Sequence, residues 1–186
     1  MTMTNTFRYP TSGSRYDAEH ESPHHGVVTQ SVFIELLASQ WQNAQRSQHS
    51  LSTFLIDIDH FNNLTDKTNI AHQVFETVGA LFHRKTDALT YFARNKILLM
   101  TTELSFKEAG QMAERIHHAV QALALTTPQT PSGQVTVSIG HTTYTPEEDD
   151  DFGVLDQLSE TLKHQQAASD MGGNTSHTRL YSQLLK

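Results

Sequence analysis

Cysteine is absent from the 186 residues, so neither a disulfide framework nor a thiolate metal site can be built. Apolar runs long enough to span a bilayer are also missing, and the opening MTMTNTFRYPTSGSRYD lacks the apolar core of a signal peptide. The expectation is a cytoplasmic protein. Positive charge is scarce: Lys and Arg total 13 against 20 Asp and Glu, for a formal net charge of -7. With no block of like cations, an extended surface for a nucleic-acid polymer is excluded, whereas a small charged ligand is not. The 37% hydrophobic content suits one globular domain with a core.

Histidine, by contrast, is plentiful, with 12 in the chain. The pairs His24-His25 and His117-His118 invite a metal reading. Adjacent residues point to different faces of a helix or strand, so neither pair chelates, and solvated surface is expected for both.

Residues 1–23 are rich in Thr, Ser, Tyr and acids without periodicity and are expected to be a flexible tail, with the domain occupying 24–186. Val32, Phe33, Leu36, Leu37 and Trp41 recur at helical spacing, predicting an amphipathic helix that ends near Arg46. The mostly apolar LSTFLIDID that follows suits a strand covered on both faces, with polar chemistry at its end. A short helix from Phe61 breaks near DKTN, and a second carries Val74, Phe75, Val78, Leu81 and Phe82 on one stripe.

ALTYF and KILLMTT read as a β-hairpin around the tetrad Ala93, Arg94, Asn95 and Lys96, taken as a four-residue connection. SFKE at 105–108 is a capping box opening a helix with Phe106, Ala109, Ala113, Ile116 and Val120 inward. QVTVSIGHTTY alternates as a strand, EEDDD is a solvated loop, Val154 to Ala168 is the last helix, and TRLYSQLL closes the chain. The order αβααββαβαβ predicts an α/β (α+β) domain, a central, mostly antiparallel sheet flanked by helices.

These residues resemble the GGDEF family of diguanylate cyclases. FLIDIDHFNNLTD is similar to the family's strand-to-helix motif, VTVSIG to one of its strands, and AERI at 113–116 to its middle helix. The three lie in the family's order across roughly Gly26 to Tyr181. The resemblance implies GTP condensation with divalent metal ions, using two glycines for close backbone approach and an acidic third residue.

Aligning Ile97 with the signature's terminal Phe puts ARNKI where the signature belongs. Ala93 and Arg94 then stand for the glycines, Asn95 for the metal carboxylate and Lys96 for the second acid. Asp57 remains as a metal carboxylate and Ile58 can offer its carbonyl, but one carboxylate is a weak divalent site. The alternative is that Asp57 and Asp59 only cap the following helix. Thr65, His72 and Ser169 stand at the family's guanine-reading and phosphate-contacting positions. The expectation is no metal, no cofactor and no catalysis.

RKTD, Arg84 to Asp87, matches the family's RxxD inhibitory motif for cyclic di-GMP, and Arg115 in AERI supplies its second arm. A guanidinium can donate to guanine O6 and N7, and a carboxylate can accept from N1 and N2. The resemblance thus implies an inactive domain that binds cyclic di-GMP at Arg84, Asp87 and Arg115 and acts on a separate effector protein; a homodimer is compatible. Two other readings stay open. One is a nucleotide-independent scaffold using Arg94 and Lys96 at the hairpin tip. The other is a residual cyclase, against which Asn95, Thr65 and Ser169 speak.

Overall fold

The computed structural model describes residues 26–180; the expected tail at 1–23 lies outside them. Thr29 opens helix α1 (Gln30–Ser47), its hydroxyl accepting from the Val32 amide, and Gln48 ends it in the left-handed conformation. Strand β1 (Leu51–Ile58), a 3-10 turn at Phe61–Asn63 and helix α2 (Lys67–Gly79) follow. Then come β2 (Ala88–Ala93), β3 (Lys96–Thr102) and α3 (Phe106–Ala122). The chain continues through β4 (Val137–Tyr144), α4 (Val154–Asp170) and the two-residue β5 (Ser176–His177). Helix α3 begins with the expected capping box, Glu108 N donating to Ser105 Oγ at 3.2 Å and Ser105 N to Glu108 Oε2 at 2.7 Å.

The sheet runs β2-β3-β1-β4-β5, antiparallel except for the last pair. The sheet and flanking helices agree with the expected order. Central β1 is covered on both faces, which its run of apolar residues requires. On one face α2 and α3 pack Val74, Phe75, Val78, Ile116 and Val120 onto Phe54, Ile56, Leu99 and Ile139. On the other, α1 contributes Phe33, Leu37, Trp41 and Ala44 over Leu55, Leu98 and Met100.

Helix α4 covers the same second face with a polar seam. Thr161 meets the Thr53 hydroxyl at 2.7 Å, and Gln157 Nε2 donates to the Leu51 carbonyl at 2.9 Å. The seam is possible because Gly140 lets two backbones touch: a Cβ there would lie 2.0 Å from Gln165 N.

Several expectations change. The connection between β2 and β3 holds only Arg94 and Asn95, because Ala93 and Lys96 are themselves paired and the extra residue is absorbed by a bulge between Tyr91 and Ala93. Val32 and Leu36 are exposed, since the buried stripe of α1 runs through Phe33, Leu37 and Trp41. The expected strand in QVTVSIGHTTY is β4, and it is buried throughout. His117 lies inside the fold on the inner side of α3, contrary to the surface expectation; His24 and His25 lie outside the described residues. The last strand is at Ser176–His177, just before TRLYSQLL, whose residues 181–185 also lie outside them.

Candidate functional site

The end of β1 carries two carboxylates, Asp57 and Asp59, that do different work. Antiparallel pairing sets Asp57 beside Lys96 on β3 and beside Ser138 on β4, and α4 passes above it. Lys96 Nζ lies 2.5 Å from Asp57 Oδ2 and 2.7 Å from Gln165 Oε1. Gln165 Nε2 donates to the same Asp57 oxygen at 3.1 Å, and Asn95 Nδ2 donates to Oδ1. The Asn95 carbonyl also accepts from Ile58 N at 2.9 Å, fastening the hairpin tip to β1. Burial raises the Asp57 pKa above the ordinary carboxylate value, the Lys96 ammonium and Asn95 amide pull it back, and the Asp59 charge adds to the rise.

Asp59 is enclosed. It accepts from Thr136 Oγ1 at 2.7 Å, Ser138 Oγ at 2.6 Å and Asn174 N at 2.8 Å. Gly173 passes so close that a Cβ would lie 2.9 Å from this carboxylate. The carboxylate thus joins the ends of β1 and β4 to the loop after α4. Neither acid caps a helix: His60, at the start of the 3-10 turn, and Asp66, before α2, make no side-chain cap bond. The helix-capping expectation for Asp57 and Asp59 is therefore replaced by sheet-end anchoring.

The divalent ion that the resemblance implies does not fit this donor set. Asp57 offers the only carboxylate of the cluster, both its oxygens already accept hydrogen bonds, and the nearest groups are an ammonium and amide donors. A cation entering here would face Lys96 at contact range. Among the described residues, no group of three or more His, Asp or Glu is arranged to hold a metal.

The second candidate lies between α2 and β2. Arg84 N donates to Asp87 Oδ2 at 2.8 Å and Asp87 N to the Arg84 carbonyl at 3.0 Å, closing a reciprocal turn. The Arg84 guanidinium donates to the Thr102 carbonyl at the end of β3. Arg84 is exposed and lies near Glu108, whose carboxyl its charge helps hold below the ordinary value, after the larger effect of the Ser105 hydrogen bonds. Arg115 is exposed two turns further along α3. Asp87, in contrast, is only 5% exposed, and its Oδ1 is buried without a hydrogen-bond partner.

Sequence reasoning missed Gln165 and the pairing of Lys96 with Asp57. A signal was present for both. Gln157, Thr161 and Gln165 recur every four residues on α4, a polar stripe at the spacing of a buried face, and antiparallel pairing of the hairpin with β1 brings its first β3 residue opposite the end of β1.

Comparison with protein families matches residues 25–171 to one described as "Diguanylate cyclase, GGDEF domain". The chain belongs to the GGDEF family. A comparison with curated proteins finds no match. Among solved structures, the GGDEF domain of DgcB from Caulobacter crescentus, in complex with c-di-GMP, is similar with a TM-score of 0.72 at 16% identity, over 92% of this chain and 98% of that one. Diguanylate cyclase SiaD in complex with its activator SiaC, from Pseudomonas aeruginosa, gives 0.66 at 15% identity, over 81% and 58%. The FimX GGDEF domain from the same organism gives 0.64 at 16%, over 84% and 96%. At these identities the likeness is one of fold. No helix among the described residues is long and apolar enough to cross a membrane.

Proposed function

We propose that this GGDEF domain is catalytically inactive and serves as a cyclic di-GMP receptor that acts on a separate effector protein. The carrying observation is that Asp57 is spent on internal partners, with Lys96 Nζ at 2.5 Å, while Arg84 and Arg115 are exposed. A tethered ammonium neutralises the carboxylate that metal-assisted GTP chemistry would use, so the family reaction loses its charge stabilisation. Ala93 and Arg94 add side chains where two glycines would leave the phosphates room.

Arg84, Asp87 and Arg115 supply the other half of the reading. Two guanidinium groups suit the O6 and N7 edges and the faces of stacked guanines, and the unpartnered Asp87 Oδ1 is an acceptor for a guanine N1 or N2 donor. Reaching it requires the Arg84 turn to open, so ligand binding would be coupled to a change in the segment joining α2 to β2. That DgcB, of like fold, is described in complex with c-di-GMP supports the ligand class. A homodimer bridged by an intercalated ligand pair is compatible with the exposed arginines.

The scaffold alternative loses one of its two cations. Lys96 is turned to Asp57, and the neighbouring Phe92 is exposed.

Isothermal titration of the purified chain with cyclic di-GMP tests the proposal. Saturable binding weakened in Arg84→Ala and Arg115→Ala supports it; absence of binding, or an affinity in both variants equal to that of the parent chain, refutes it. A parallel incubation with GTP and manganese should yield no cyclic di-GMP.

A further inference from the structure

We propose that His164 and His177 form a proton-operated latch that holds the last strand to the sheet and opens when both rings are charged. His164 lies on α4 and His177 in β5, and their Nδ1 atoms are 3.0 Å apart. Two facing imidazole nitrogens at that distance share one hydrogen: one ring donates its N–H and the other accepts with a lone pair. A neutral pair satisfies this, and so does a singly charged one. A doubly charged pair sets two N–H groups and two positive charges against each other, and the bond is lost.

Among the described residues, few backbone pairs secure this edge. The strand contains only Ser176 and His177, paired with Ile139 and Gly140. Around it, Ile139 N donates to the Thr175 carbonyl at 3.0 Å and Thr178 Oγ1 to the His141 carbonyl at 2.7 Å. The imidazole bridge is a side-chain tie between this strand and α4 that protonation can cut.

Among the described residues, the charged and titratable groups acting on the pair are Glu160 and Lys163 on α4, Arg179 just after β5, and His141 on β4. Only Glu160 favours a proton. Burial, His177, Arg179 and Lys163 all hold the His164 pKa below its ordinary value. At His164 the folded state therefore binds fewer protons than the unfolded chain. By linkage, the latch contributes fully above the ordinary histidine range and is lost as pH falls below it.

Opening has a consequence at the site already described. The loop entering β5 supplies the Asn174 amide that bonds Asp59 at 2.8 Å. Detaching the strand loosens that anchor, two residues from Asp57, so the proton signal passes from the sheet edge to the end of β1.

Amide exchange followed by NMR between about pH 7.5 and about pH 5 reads the latch directly. Protection factors at Ile139 and His177 should fall faster than those of the β1–β3 pairs, by up to roughly tenfold per pH unit, the limit for one extra proton. In the double variant, His164→Gln with His177→Asn, which takes no proton at either position, the excess slope should vanish, and each single variant should lose part of it. Equal slopes at both edges of the sheet would overturn the latch, attributing any acid response to the whole fold. So would an excess slope that persists in the double variant.

Discussion

The two ends of the sheet's chemistry differ in how their polar groups are used. At Asp57 the carboxylate is satisfied from within, by Lys96, Gln165 and Asn95 drawn from β3, α4 and the hairpin tip. At the turn before β2 the groups are only partly spent: Arg84 is exposed, as is Arg115 on α3, and one buried oxygen of Asp87 has no partner. A site that satisfies itself gives up ligand affinity for stability, because any incoming cation must first displace an ion pair. A site left with unmet hydrogen-bonding capacity is the one from which a ligand gains most.

The largest expected effect breaks the second region and spares the first. Arg84→Ala or Arg115→Ala should weaken cyclic di-GMP binding by ~1–3 kcal/mol, the worth of a good guanidinium contact to guanine, measured by calorimetry. Thermal stability of Arg115→Ala should stay near that of the parent chain, since its exposed side chain is not part of the core.

Breaking the first region should cost stability instead. Lys96→Met leaves the Asp57 carboxylate half-enclosed without its cation. Removing one partner of a fully buried pair costs more, so with partial exposure a loss of about 1–2 kcal/mol is expected in denaturant unfolding. Adding Asp57→Asn to that variant should recover part of the loss, because the uncompensated charge is then gone. Cyclic di-GMP affinity should be unchanged in both.

Smaller effects appear on titration. Asp57 has a folded pKa raised by burial, so its contribution to stability declines as pH rises from the ordinary carboxylate value through the folded one. Carbon-13 NMR of the carboxyl should show its pKa move further up in Lys96→Met, since the ammonium now opposes the rise. His141 behaves in the opposite sense. Burial against Phe54, with His164 and His177 nearby, lowers its pKa to about 4, so it stays neutral through the physiological range. Its stabilising contribution is present above the ordinary histidine value and is lost as pH falls toward about 4. His141→Phe should flatten that part of the stability profile in thermal unfolding measured across acidic pH.

Much of the fold was legible because its signals are local. The capping box at Ser105 and Glu108, the apolar run of β1 and the stripe on α2 each follow from residues close in sequence. What escaped depends on distant partners. The cover that α4 gives β4 across Gly140 cannot be read from the strand, and His117 reads as surface until α3 is turned against the sheet. At the candidate site, the residue types were visible but their pairing was not. Lys96 lies 39 positions from Asp57, and Gln165 lies 108 away. The hairpin was expected to be looser than it is, because a bulge at the end of β2 cannot be read from turn residues alone.

Manganese binding followed by electron paramagnetic resonance probes the Asp57 site itself. The chain should leave millimolar manganese free in solution, because Lys96 already neutralises Asp57. Stoichiometric uptake abolished by Asp57→Asn would contradict it, showing that the carboxylate still serves a divalent ion.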